Sequence, residues 1–144
     1  MAANAVLLAI RPEYARLILS RQKTFELRRV CPLAPRGTRV ILYASAPLSA
    51  LVGTASVDSI VAASPRQLWP VVRPHCGITR WQFDLYFRRA KVGFGIKMCA
   101  AAEYNSPLSL RMLRHHLPDF RPPQNFRYVR NDRASDKRLL HYLP

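Results

Sequence analysis

The hydrophobic pattern changes period twice within the first twenty-eight residues. Val6 to Ile10 is apolar throughout and reads as a strand. Pro12 to Ser20 then carries Tyr14, Leu17 and Ile18 at helical spacing, with Pro12 suited to a first turn and Glu13 facing the positive end of the dipole. Thr24 to Arg28 alternates again, placing Phe25 and Leu27 on one face and Thr24, Glu26 and Arg28 on the other. The prediction is strand, helix, strand, with one greasy face and one charged face on the second strand. Lys23 falls beside the end of the helix.

Cys31 to Gly37 is a Pro-broken loop, and Thr38 to Ala44 is an apolar, β-branched run that suits a buried strand. The run after Pro47 alternates near Val52 to Val57, with Gly53 marking a bulge or bend of a curved sheet. Ser64 is placed to cap a helix from Pro65, and Thr79 a second one. Trp69, Trp81, Phe83 and Phe87 recur at helical spacing and are expected to pack. Val92 to Ala101 alternates around two glycines as a curved strand would. A short helix starts near Ser109, and FRPPQNFRYV leads into a last short strand. The expectation is an α+β β-barrel of about five to six strands with flanking helices.

The chain has 144 residues, 49% of them apolar, which suffices for one core. One domain is expected over residues 1–130, with a basic tail at 131–144 that is either a docked helix or partly disordered. Lys and Arg number 23 against 8 Asp and Glu, a formal charge of +15. The basic residues run from Arg11 to Arg138 rather than gathering in a tail, so a binding surface would belong to the fold. An acidic polymer, RNA or another nucleic acid, is the expected partner, and an Arg-rich host composition is the bland alternative.

Cys31, Cys76 and Cys99 are odd in number and lack CxxC spacing, which speaks against a zinc ribbon or a disulfide framework. Reduced thiols, a cytoplasmic location, a monomer and no metal or other cofactor are expected. His75 beside Cys76 and the pair His115 and His116 do not match the usual ligand spacings. The apolar run Ala5 to Ile10 is too short to span a bilayer and lacks a basic segment before it.

Four strings, LLAIRPEYARLILSRQKTFELRR, VILYASAP, GFGIK and DFRPPQNFRY, together resemble the ASCH domains, a PUA-like family of small β-barrels with flanking helices. The resemblance covers roughly residues 5–130. The family motif G-x-K-x-x-E-x-R is matched by Lys23, Glu26 and Arg28, with Arg21 where the glycine stands. The resemblance implies RNA binding, often linked to transcription or translation. One branch resembles small amidohydrolases that deacetylate acetylated cytidine with a Lys, a Thr and a Glu. Here Lys23 matches the lysine, Glu26 stands at the threonine, and His75, Cys76 and Gly77 occupy the stretch that would hold the acid, so that set is incomplete. Another branch has been associated with RNA cleavage.

Glu26 and Arg28, two apart on one strand face, can pair or can address different parts of one ligand. A carboxylate suits a base edge presenting an amino group, as cytosine and adenine do. Arg28 and Arg11 would then serve phosphate, with Lys23 a compact charge at the mouth. Tyr43 or Phe126 offers a stacking face. Ser45, Arg121, Gln124 and Arg127 complete the candidate nucleic-acid-binding set. The bland readings are a structural ion pair closing the helix-to-strand corner, a core tyrosine and a turn-forming serine. As an enzyme, the chain would depend on Lys23 and Glu26. Neutral Lys23 would be opposed by the neighbouring carboxylate, and Glu26 itself would be the alternative base.

Overall fold

A computed structural model describes residues 3–142. Among them the strands are β1 (Ala5–Ile10), β2 (Phe25–Arg28), β3 (Arg39–Ala44), β4 (Ala50–Ala63), β5 (Gly93–Ser109) and β6 (Phe126–Val129). The helices are α1 (Pro12–Leu19), α2 (Pro65–Val72), α3 (Arg80–Tyr86), α4 (Leu110–His116) and α5 (Ala134–Leu140). The strands form one curled sheet in the order β2-β5-β4-β3-β1-β6, with β1 parallel to β3 and every other pair antiparallel.

β1 lacks alternation because both of its faces are covered. Val6, Leu8 and Ile10 pack on one side with Ala15 and Ile18 of α1, while Ala5, Leu7 and Ala9 pack on the other with Leu113 of α4 and Leu139 of α5. The edge strand β2 turns Phe25 and Leu27 onto Leu68 and Val72 of α2 and Phe83 of α3. That placement leaves the opposite face of β2 for Glu26 and Arg28.

The antiparallel pair of β4 and β5, which α2 and α3 separate in the chain, is longer than the alternation predicted. Its register shifts between Leu51 and Gly53, the bulge expected at Gly53. A Cβ on Gly53 would lie 2.5 Å from the carbonyl oxygen of Ala102, so only glycine allows this approach. On β5 the same irregularity leaves the stretch from Tyr104 to Pro107 outside the ladder register, which is how a strand tolerates Pro107 without an N–H. Asn105, Ser106 and Pro107 read as turn formers and hid the strand's second half.

Helix ends follow the local chemistry. Ser64, Thr79 and Ser109 each accept from a backbone N–H of the first turn that follows, and Gln82 returns to Thr79 N as a capping box. In the 131–142 region α5 docks through Leu139 and through Asp136, a buried carboxylate that accepts from Arg127 Nη1 and Arg130 N, each at 2.9 Å. No helix among the described residues is long and apolar enough to cross a membrane.

Candidate functional site

A Schellman turn sets Lys23 in place. α1 ends with Arg21 N–H donating to Ile18 O and Gln22 N–H to Leu17 O, both at 3.0 Å. Arg21 itself takes φ 67°, the left-handed conformation that the motif's glycine would adopt freely. The chain thereby reverses into β2 with Lys23 turned inward, only 2% exposed, and its Nζ donates to the carbonyl oxygen of Cys76. The loop before α3 is laced to the same corner, since His75 O accepts from Thr24 N at 2.9 Å and from Phe25 N at 3.1 Å. Burial holds Lys23 below its ordinary value of 10.5, Glu26 and Cys76 act to raise it, and Arg28 pushes it down. The ammonium also lies 5.0 Å from the ring centre of Tyr14.

Glu26 and Arg28 form the floor of the site, and both are buried. Glu26 Oε1 accepts from Leu27 N at 2.9 Å, whereas Oε2 is buried without a hydrogen-bond partner among the described residues. Arg28 Nη2 stands 3.8 Å from that oxygen, too far for a hydrogen bond. The guanidinium donates instead from Nη2 to Ala9 O at 2.7 Å and from Nη1 to Asn125 O at 3.5 Å, and its Nε is buried without a hydrogen-bond partner among the described residues. An exposed acceptor oxygen would cost nothing, but a buried orphan costs on the order of 1–3 kcal/mol unless a ligand's donor reaches it.

Above this floor opens a cleft of about 480 Å³ between β2, the start of α1 and α3. Arg11 and Tyr14 form one wall, and Trp81, Gln82, Leu85 and Tyr86 the other. Trp81 is 72% exposed, which corrects its expected role as a packing residue. It stands two positions from Phe83, about 200° around the helix, so the sheet that buries Phe83 and Phe87 leaves Trp81 and Leu85 facing outward. Tyr86, also partly exposed, has its phenol pushed up by burial, with Arg28 acting in the opposite sense.

The cleft therefore gathers Arg11, Lys23, Glu26 and Arg28 from the predicted set and excludes the rest. Tyr43 is buried against Phe120 with its ring centre 6.2 Å away, because alternation on β3 turns it toward α4 and α5; it has no face for a base. Phe126 is half-buried, edge-on to Tyr128, and lies outside the cleft. Ser45 Oγ donates to Ile10 O at 3.2 Å, the bond of a turn former. Gln124 does not line the cleft, though its neighbour Asn125 does. Arg121 and Arg127 lie in a different concavity. The outward pair Trp81 and Leu85, spaced by four, was the signal by which sequence reasoning could have found the α3 wall.

The three cysteines are free, and among the described residues no three His, Cys, Asp or Glu side chains cluster as a metal site would require.

The curled six-stranded sheet, its five flanking helices and the cleft beside an edge strand define an α+β, PUA-like barrel protein. No family model matches the chain. An ASCH domain-containing ribonuclease of Zymomonas mobilis is 27% identical over 121 residues, covering 84% of this chain and 81% of that protein. The crystal structure of the ASCH protein of Zymomonas mobilis superposes with TM-score 0.86 at 25% identity, covering 96% of this chain and 94% of that one. The N-terminal domain of Staphylothermus marinus McrB shares the fold more loosely, with TM-score 0.56 at 13% identity, covering 98% and 94%. In sequence and in fold the chain is similar to the ASCH domain proteins.

Proposed function

We infer that the chain binds single-stranded RNA and holds one unpaired base in the cleft. The observation that carries this is Glu26 Oε2, a buried acceptor without a hydrogen-bond partner among the described residues, on the floor of a basic cleft. An exocyclic amino group of cytosine or adenine supplies the missing donor. The base stacks on Trp81 or Tyr86, the aromatic residues that α3 leaves exposed. Arg11 is exposed at the same mouth and takes the phosphate. The similarity to a protein named as a ribonuclease supports RNA over DNA as the polymer.

Fluorescence anisotropy of single-stranded RNA, duplex RNA and single-stranded DNA, with wild type and Glu26→Gln, tests it. The wild type prefers single-stranded RNA containing cytosine or adenine, and the variant loses roughly 1–3 kcal/mol of that base preference. Equal binding of all polymers by both proteins would sink the reading.

Cleavage is the second reading, favoured by the meeting of Glu26, depressed Lys23 and the phenol of Tyr86 in one cleft. Glu26 would take the proton of a 2′-hydroxyl as it attacks the adjacent phosphorus, and Tyr86 or Lys23 would protonate the departing 5′-oxygen. End-labelled RNA should then yield fragments ending in a cyclic phosphate with wild type and none with Glu26→Gln or Lys23→Met of unchanged fold. Fragments undiminished in both variants would exclude these residues as catalysts.

A further inference from the structure

The second concavity, about 530 Å³, lies between the α4–β6 loop and α5. Its four arginines, set against Asp119 and Asp136, fall into two groups. Arg127 is held by buried Asp136, and Arg138 donates to the carbonyl oxygen of His116, so these two fix the walls. Arg121 and Arg133 are exposed, and their guanidinium groups have no hydrogen-bond or ion-pair partner among the described residues. Two unengaged guanidinium groups over a concave floor suit the oxygens of a phosphodiester, which accept forked donors.

The segment from Arg121 to Asn125 joins this concavity to the cleft, because Arg121 lines the one and Asn125 the other. Pro122 and Pro123 restrict its backbone, and Asn125 O is anchored by Ala9 N at 2.9 Å and by Arg28. The chain bends at Gln124 and Asn125, and at about 3.1 Å per residue in the extended proline conformation its four steps span at most about 12 Å. A stacked strand advances about 3.4 Å per nucleotide, so the interval corresponds to at most about four nucleotides.

We propose that the second concavity is a phosphate subsite that grips the same RNA strand within about four nucleotides of the base held in the cleft, through Arg121 and Arg133. It rests on the cleft reading and extends it. The subsite carries no base information, since it meets only backbone.

The test measures binding of labelled di-, tetra-, hexa- and octaribonucleotides of one sequence by wild type, by an Arg121→Ala, Arg133→Ala double variant, by Arg133→Glu and by Glu26→Gln. Wild type tightens as the probe lengthens beyond the dinucleotide. The double variant binds the dinucleotide as wild type does, loses the gain with length, and shows a slope of log Kd against log salt shallower by about 1.4 for the longer probes, from two contacts of about 0.7 each. Arg133→Glu reduces the gain as well. Equal binding of every length by wild type and double variant overturns the proposal, and so does a loss that is the same for the dinucleotide as for the octanucleotide. If Glu26→Gln leaves base preference intact while the double variant still loses the length gain, the cleft reading fails and the phosphate subsite stands.

Discussion

Arg28 Nη2 donates at 2.7 Å to the carbonyl oxygen of Ala9, which joins the edge strand β2 to β1 near the sheet's opposite edge. The same guanidinium reaches Asn125 O at 3.5 Å, just before the other edge strand, β6. Arg28 is thus a clasp between the two margins of a curled sheet, with Nη1 and Nη2 turned to protein carbonyls and Nε buried without a hydrogen-bond partner among the described residues. Arg11, exposed on the same cleft, is the guanidinium left for an anion.

Arg28→Ala removes the clasp and leaves Glu26 buried with less compensation, so the midpoint of urea unfolding should drop by the equivalent of on the order of 3 kcal/mol. Arg28→Lys should recover little, because an ammonium cannot address two carbonyls in a plane. Arg11→Ala should leave stability within about 0.5 kcal/mol and flatten the salt dependence of RNA binding by about 0.7.

Trp81→Ala separates stacking from packing. With the indole 72% exposed, thermal unfolding should be nearly unchanged, while RNA affinity falls by roughly 1–3 kcal/mol. Binding isotherms and melting curves of the same preparation check it; a lost fold with intact affinity would return Trp81 to the core.

Lys23 makes stability depend on alkaline pH in a definite direction. Because the folded pKa lies below 10.5, the unfolded chain holds this proton over the interval between the two values, and stability gains with rising pH there. Glu26→Gln removes the charge that opposes the shift, so the interval should widen toward lower pH. Urea unfolding against pH, referenced to Lys23→Met to cancel other titrating groups, reads the slope; an opposite sign would contradict it.

Arg21→Gly relieves a side chain from φ 67°. The left-handed conformation costs about 1–2 kcal/mol, partly offset by the greater backbone entropy of glycine, so a gain of about 1 kcal/mol is expected. The lost contact from Arg21 Nη2 to Ala101 O, at 3.5 Å, is too long to reverse it. A raised melting temperature checks it.

The β1–α1–β2 unit and the caps at Ser64, Thr79 and Ser109 were legible because their causes lie within a few residues of each other. Lys23, Glu26 and Arg28 were legible as a cluster because period-two alternation on β2 put Glu26 and Arg28 on one face, just after Lys23. What Arg28 touches was not, since Ala9 and Asn125 come near it only when the sheet curls. Tyr43 depended on which side of β3 the helices α4 and α5 would cover, a choice made by residues far along the chain. On α3 the sequence carried two apolar faces, Phe83 with Phe87 and Trp81 with Leu85, and periodicity alone cannot say which one meets the sheet.

β1 lies between β3 and β6, so Ala5 is hydrogen-bonded in a ladder opposite Val129. Among the described strands β1 is made before any of its neighbours, and its AVLLAI segment is therefore among the last to acquire both of them, since β6 follows about 115 residues later. Until residues 126–129 are made, one edge of β1 has no strand to pair with.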